Sequence, residues 1–183
     1  MMEEDKTYYQ AFLNGEIQGF EQLVLKYKDH VIYFINRYVK DIHIAEDLAQ
    51  DTFVDVYLYK ERYQFSYGFK TYLFTIARNK AVDYVRKNVR NGSSVCLEEM
   101  EACKEEQRIE DKIVLDERNR HLRDAIKMLK PKAQLVLHLT YFEQMSGKEV
   151  ARILGLTQGQ VKVMLHRARK QLGERLGKDI FYM

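Results

Sequence analysis

The chain has 183 residues, of which 46% are hydrophobic, and a formal net charge of +3, which allows one or two small domains with apolar cores. A single proline and nine glycines predict a mostly helical protein, because helices tolerate few of either residue. The sequence has no apolar run long enough for a membrane span, and its acidic start lacks the order of a signal peptide. Cys96 and Cys103 are expected to be reduced thiols rather than a disulfide.

Helical periodicity dominates the first sixty residues. Residues 7–38 predict two helices with a break near Asn14-Gly15, since apolar residues recur three and four positions apart. In the next predicted helix the inward positions are Ala45, Leu48, Ala49, Phe53 and Val56. The outward positions, which we call the acidic ridge, are Glu46, Asp47, Gln50 and Asp51. A solvated surface explains such a ridge, but a concentrated acidic surface, which repels phosphate, also suggests a protein partner.

A loop rich in aromatic residues is predicted at residues 62–69. Its rings, which we call the aromatic loop, are Tyr63, Phe65, Tyr67 and Phe69. Exposed rings beside basic side chains are a platform on which unpaired bases stack, but rings can also close a core, which we expect for Phe69. The helix that follows is predicted to bury Leu73, Ile76, Ala77 and Tyr84. It is predicted to expose Thr75, Arg78, Asn79, Val82, Asp83 and Arg86.

The composition changes at residues 89–112, where acids outnumber bases and hydrophobicity is low, and this predicts a flexible acidic linker. A new helical stripe follows at Ile113, Leu122, Ala125, Ile126 and Leu129. Pro131 predicts another helix start, because the first helical position needs no amide donor. That helix, residues 131–142, is expected to pack through Leu135, Val136, Leu139 and Phe142.

Two helix starts of the same kind follow. Ser146 stands three residues before Glu149, and Thr157 stands three before Gln160, so each pair predicts a capping box. Gly155 predicts where the first helix ends. A short helix, a tight turn and a longer helix are typical of a helix-turn-helix. The buried arc of the longer helix is predicted to contain Val161, Leu165, Ala168 and Leu172.

The surface of this last segment is basic. Residues 146–178 contain eight lysines and arginines against two acids, a local charge of +6, which attracts phosphate. The missing acids between Thr157 and Gly173 favour a DNA-binding helix over an amphipathic core helix with a basic face.

Three ordered motifs together resemble the extracytoplasmic-function group of the sigma-70 family, the small initiation subunits of bacterial RNA polymerase. They are residues 45–53, residues 71–79 and residues 161–169. The resemblance implies an all-α fold of two helical domains joined by a flexible acidic linker, with a helix-turn-helix in the second. Residues 1–88 would be sigma domain 2, residues 89–112 the linker and residues 113–183 sigma domain 4. The family has no catalytic activity of its own.

The resemblance also assigns roles to individual residues. Polymerase binding would use Glu46, Asp47, Gln50, Asp51 and Phe53. Recognition and melting of the promoter −10 element would use Tyr63, Phe65, Tyr67, Arg78, Asn79 and Arg86. Recognition of the −35 element would use Lys162, Val163, His166 and Arg167 on bases, and Arg152 and Arg169 on phosphates. Gln160 stands where the family commonly has threonine; it completes the cap and can add an adenine-type contact.

The implied partners are core RNA polymerase, through the clamp of its largest subunit and its flap, promoter DNA, and an anti-sigma factor. No cofactor, metal or membrane insertion is expected, and the expected location is cytoplasmic. One alternative is a stand-alone helix-turn-helix transcriptional regulator, which would bind DNA without polymerase, usually as a dimer. An enzyme is disfavoured, because the five histidines have no paired spacing for zinc and the sequence has no P-loop or nucleophile motif.

Overall fold

The computed structural model describes residues 2–90 and 117–176. Every regular element within these two ranges is helical, which confirms the all-α prediction. The described residues separate into two compact units, formed mainly by the helices before residue 91 and by those after residue 116. The predicted linker, beyond its first two residues, lies outside the described residues, as do Cys96, Cys103 and Ile113.

The first unit is built from four described helices: α1 (Met2–Leu13), α2 (Ile17–Val39), α3 (Ile42–Leu58) and α4 (Phe69–Arg90). A 3₁₀ turn, Lys60–Arg62, follows α3. The predicted break between the first two helices is confirmed, and Gly15 there has φ of +97°, which glycine adopts without a Cβ clash. The carboxylate of Asp41 caps α3 by accepting from the amides of His43 and Ile44, a start that the sequence analysis did not identify.

The core of the first unit follows the predicted stripes on α2 and α3. The buried residues of these two helices include Leu23, Tyr27, Val31, Phe34, Ile35, Tyr38, Ala45, Ala49, Phe53 and Val56. On α4 the prediction was partly wrong: Val82 is buried rather than exposed, and the core also takes Phe74, Ala81 and Val85. The reason is that α4 packs against both α2 and α3. A wider arc of its surface is therefore buried than packing against a single helix would bury.

Helix α1 begins at Met2, five residues before the predicted start, and it crosses α2 at very short range. A Cβ atom on Gly19 would lie 2.2 Å from the carbonyl oxygen of Tyr8. Beside this crossing, the buried carboxylate of Asp5 accepts from the Tyr27 hydroxyl at 2.5 Å and from Lys26 Nζ at 2.7 Å. Hydrogen bonds therefore compensate the burial of this carboxylate.

The second unit contains α5 (Glu117–Lys127), α6 (Pro131–Leu137), a π-helical turn (His138–Phe142), α7 (Gly147–Leu154) and α8 (Gln158–Leu176). Pro131 opens α6 as predicted. Both α5 and α6 pack against α8. The core cluster that they share consists of Ala125, Leu129, Leu137, Ala168 and Leu172.

The π-helical turn corrects one prediction about the core. Leu135, Val136 and Leu139 are buried as predicted, but Phe142 is 64% exposed. The amide of Glu143 donates to the carbonyl of His138 at 3.1 Å, five residues back, which is the π pattern. The wider turn changes the phase of the helix, so a count based on 3.6 residues per turn assigns Phe142 to the wrong face.

Candidate nucleic-acid interface

Both helix starts of the helix-turn-helix are capped as the sequence predicts. The Ser146 amide donates to Glu149 Oε2 at 2.9 Å, and the Glu149 amide donates to Ser146 Oγ at 3.4 Å. The Thr157 amide donates to Gln160 Oε1 at 2.8 Å, and the Gln160 amide donates to Thr157 Oγ1 at 3.2 Å. These reciprocal bonds define where α7 and α8 begin.

The turn between α7 and α8 is a Schellman motif. Gly155 has φ of +65°, the left-handed conformation that ends a helix at low cost when the residue is glycine. The Leu156 amide donates to the Ala151 carbonyl at 2.8 Å, and the Gly155 amide donates to the Arg152 carbonyl at 3.4 Å. The short helix therefore stops at a fixed point, and α8 starts three residues later.

Helix α8 separates its apolar and basic side chains onto opposite faces. Val161, Ala168 and Leu172 are buried, as predicted, and Leu165 is half-buried. By sequence α8 carries five lysines and arginines against one acid, a net charge of +4. The residues predicted for −35 recognition are all exposed: Arg152, Gln160, Lys162, Val163, His166, Arg167 and Arg169. The arrangement presents donors to solvent on a fixed helical scaffold.

The capping role of Gln160 restricts what its side chain can offer to DNA. A bidentate contact to adenine needs the amide oxygen as acceptor and the amide nitrogen as donor. Oε1 already accepts from the Thr157 amide. While the cap is intact, Gln160 offers the Nε2 donor, which suits a base acceptor or a phosphate oxygen rather than the full adenine pattern.

The acidic ridge lies on the exposed side of α3. Glu46, Asp47, Gln50 and Asp51 are all exposed. Phe53, which the resemblance grouped with them, is 7% exposed and belongs to the core, where its ring supports the helix from inside. By sequence α3 holds four acids and neither lysine nor arginine, a net charge of −4.

An apolar surface that sequence reasoning missed adjoins the ridge. At the C-terminal end of α3, Val54, Tyr57 and Leu58 are 44%, 47% and 63% exposed. The available signal was the number of apolar residues in α3, which exceeds what its inward stripe needs. The end of α3 therefore combines carboxylates with accessible apolar side chains.

The aromatic loop is more buried than its sequence suggests. Tyr63 and Phe69 are 6% and 1% exposed, which confirms the prediction for Phe69 and leaves little of the Tyr63 ring accessible for a base to stack on. The Tyr63 ring stacks on Tyr72 with centroids 5.1 Å apart, and its hydroxyl donates to the Tyr67 carbonyl at 2.7 Å. Burial raises the pKa of Tyr63 to about 12. Phe65 and Tyr67 are half-buried, so they keep accessible ring surface.

Helix α4 carries the polar residues that were predicted for −10 recognition. Arg78 is half-buried, whereas Asn79 and Arg86 are exposed. Arg78 Nη1 donates to Asn79 Oδ1 at 3.4 Å, and Arg78 also interacts with the hydroxyl of Tyr38. Burial raises the pKa of Tyr38 to about 12, and the charge of Arg78 opposes that rise.

The part of the chain that the structure describes holds neither a metal-binding cluster nor a membrane-spanning helix. Within residues 2–90 and 117–176, no group of three or more histidine, cysteine or acidic side chains is placed to hold a metal ion. In the same described ranges, no helix is both long and apolar enough to cross a membrane.

Comparison with protein families gives two matches in chain order. Residues 23–91 match the model for sigma-70 region 2. Residues 120–172 match the model for sigma-70 region 4. The two matches include α3, the aromatic loop, α4, both capping boxes and nearly all of α8.

Several relatives match over more than nine tenths of their own lengths. The RNA polymerase sigma factor CarQ of Myxococcus xanthus is 30% identical over 169 residues, covering 92% of this chain and 95% of the relative. The ECF RNA polymerase sigma factor SigW of Bacillus subtilis is 28% identical over 170 residues, covering 88% and 91%. Among solved structures, the sigma factor RpoE in complex with the anti-sigma factor NepR from Bartonella quintana matches with a TM-score of 0.65 and 27% identity, covering 87% and 98%.

Proposed function

This chain belongs to the extracytoplasmic-function group of the sigma-70 family, and we propose how its helices divide the work of promoter-specific initiation. As a family member it is an alternative sigma factor that acts with core RNA polymerase on promoter DNA. The proposal concerns which surface meets which partner. Residues 1–88 would serve as sigma domain 2, residues 89–112 as the linker and residues 113–183 as sigma domain 4.

The opposite charges of α3 and α8 carry this proposal. Helix α3 has a net charge of −4 and helix α8 has +4, and both charged faces are exposed. DNA attracts the basic face and repels the acidic one, since its backbone carries a negative charge at every phosphate. The acidic ridge therefore suits a protein partner, which we assign as the clamp of the largest polymerase subunit.

The helix-turn-helix is assigned to the −35 element. In this motif the second helix enters the major groove and presents residues of its N-terminal half to base edges. Lys162, Val163, His166 and Arg167 fall in that half of α8 and are exposed. Arg152 and Arg169 are assigned to phosphates, contacts that position a protein without reading sequence. Gln160 is assigned to the same element through its Nε2 donor, since Oε1 caps α8.

The aromatic loop and α4 are assigned to the −10 element. Melting needs surfaces on which unpaired bases stack, and half-buried Phe65 and Tyr67 supply ring surface for that purpose. Arg78, Asn79 and Arg86 on α4 supply donors for phosphates and bases. Tyr63 is given a supporting role, because its ring packs under the loop.

We extend the proposal to an inhibitor and to the location of the chain. The relative from Bartonella quintana was solved with an anti-sigma factor, and we propose that this chain is held inactive by a protein of that kind in the cytoplasm. Affinity purification of the chain from native cells should return one small protein besides polymerase subunits. Recovery of polymerase subunits alone would contradict this part.

Run-off transcription tests the central proposal. Core RNA polymerase, the purified chain and genomic DNA fragments should give discrete transcripts whose start sites share two upstream elements. Core polymerase alone provides the background. If the chain instead binds a palindromic site tightly without polymerase and adds no transcripts, the stand-alone regulator would be the correct function.

A further inference from the structure

Tyr141 is an exposed aromatic residue whose position depends on the π-helical turn. Its ring is 49% exposed, although it lies next to the core residue Leu139. The side chains of His138 and Glu143 are buried within the turn, at 3% and 2% exposed, with Nε2 and Oε1 3.4 Å apart. The Glu143 amide donates to the His138 carbonyl, and this bond closes the turn that carries Tyr141.

The hydroxyl of Tyr141 contacts a basic residue of α8. Arg169 Nε donates to the Tyr141 hydroxyl oxygen at 2.5 Å, and the guanidinium carbon lies 5.5 Å from the centre of the ring. A guanidinium has five N–H donors. The bond uses the one on Nε, so the donors on the two terminal nitrogens are not used by it.

We propose that Tyr141 is a positioning residue that orients the Arg169 guanidinium for a DNA phosphate. The inference rests on the proposed role of Arg169 in −35 binding. Two terminal nitrogens in a planar fork match two oxygens of a phosphate. A long arginine side chain loses rotamer freedom when it binds. Because Tyr141 restricts that freedom before DNA arrives, less is lost on binding.

This role differs from a direct contact and from a structural one. A residue that acts only through Arg169 has no effect on DNA once Arg169 is changed. A residue that only maintains the fold alters the unfolding transition of the second unit. Lysine at position 169 would keep the positive charge but would remove both the Nε donor and the fork, so it separates charge from orientation.

The test is a double-mutant cycle on the holoenzyme. Wild type, Tyr141→Phe, Arg169→Lys, the double variant and Arg169→Ala are each assembled with core polymerase. Each is titrated, at several salt concentrations, against a promoter fragment identified by run-off transcription. Tyr141→Phe should weaken binding about three- to tenfold. It should not change the salt slope, which is the change in the logarithm of the binding constant with the logarithm of salt concentration, because the charge is kept. In the Arg169→Lys background the same change should have no effect. The thermal unfolding midpoint of Tyr141→Phe should equal that of wild type.

Each other outcome identifies what fails. Arg169→Ala should weaken binding and lower the salt slope by about one, as expected for a lost phosphate contact. If it changes neither, the assigned role of Arg169 fails and this inference fails with it. If Arg169→Ala weakens binding but Tyr141→Phe does not, only the positioning role is overturned. If Tyr141→Phe weakens binding equally in the Arg169→Lys background, Tyr141 touches DNA itself and the positioning role is also overturned.

Discussion

Gln160 serves the fold, and in the proposed interface the same side chain also serves DNA recognition. Its oxygen completes the cap of α8 by accepting from the Thr157 amide, and its nitrogen is the group that remains for DNA. The two functions lie on different atoms of one amide, so a substitution that changes one atom can separate them.

The substitution Gln160→Glu makes that separation. A carboxylate keeps the acceptor for the cap and adds a negative charge that a helix N-terminus favours, so the thermal stability of the helix-turn-helix should be unchanged or higher. It removes the donor and adds a charge that phosphate repels, so promoter affinity should fall by at least about 1–3 kcal/mol, the range for one good base contact. Circular dichroism melting and holoenzyme titration measure the two effects.

Gln160→Ala is the matched control, because it loses both the cap acceptor and the donor. It should lower the melting temperature as well as promoter affinity, since a missing cap costs about 1 kcal/mol. Retained promoter affinity in Gln160→Glu would mean that the amide nitrogen has no role in binding.

At the scale of helices, the crossing of α1 and α2 depends on the absence of a side chain at Gly19. In Gly19→Ala the new Cβ would fall 2.2 Å from a backbone oxygen of α1, which no side-chain rotation relieves. We expect the first unit to lose about 1–3 kcal/mol of unfolding free energy, as in other overpacked sites. Urea denaturation followed by tyrosine fluorescence would measure the loss.

Gly147→Ala provides the comparison for that experiment. Its new Cβ would lie 4.0 Å from Val161 Cγ1, an ordinary contact, so the gain in helix propensity should leave stability equal or slightly higher. Equal stability of Gly19→Ala and wild type would show that α1 can shift without cost.

Buried tyrosines make the first unit sensitive to alkali. The Tyr9 hydroxyl donates to the Lys60 carbonyl at 2.8 Å, and burial raises the pKa of Tyr9 above its usual range. Burial also raises the pKa values of Tyr38 and Tyr63 to about 12. Because the folded values exceed the unfolded value near 10, these groups give their full stabilisation below pH 10, and it is lost as the pH rises toward 12.

Equilibrium unfolding between pH 9 and pH 11.5 should therefore show stability that is constant at first and then falls. Tyr38→Phe removes one contributing hydroxyl, so the fall with pH should be shallower in that variant. Tyr84→Phe, at a half-buried position, is the control. An equally steep fall in Tyr38→Phe and wild type would contradict the role of Tyr38.

What the sequence could predict at this scale depended on how local the cause was. The capping boxes, Pro131 at the start of α6 and the stop at Gly155 each depend on residues within one turn, and all three were predicted. Burial of Val82 depends on two helices packing against α4, and exposure of Phe142 depends on a π-helical turn that has no sequence signature here. Asp5 is buried through partners more than twenty residues away, which periodicity cannot detect.

For the whole molecule, the separation of charge was visible in the sequence, because net charge adds along a helix whatever the packing. The accessible apolar end of α3 was not, because its exposure depends on which neighbours cover the helix. The assignment of partners to surfaces therefore stays a prediction that charge supports and that binding experiments decide.

Reversal of the acidic ridge tests the assignment to polymerase. Asp47→Lys with Asp51→Lys should abolish co-purification with core polymerase, while the far-ultraviolet circular dichroism stays unchanged, since both side chains are exposed. The control is Glu21→Lys with Asp29→Lys, which makes the same change in charge at exposed positions of α2. Binding of the ridge variant at near wild-type affinity would require a different docking surface.

The two faces of α8 have a consequence for how such a chain can evolve. Val161, Ala168 and Leu172 anchor the helix, whereas Lys162, Val163, His166 and Arg167 project outward and leave the core unchanged if they mutate. In the proposed −35 interface, new promoter preferences can therefore arise by single substitutions without a compensating change elsewhere. Substitution is more restricted at Gln160, because a change in its proposed DNA contact also changes the cap of α8. Promoter preference should therefore diverge more readily through the outward residues than through Gln160.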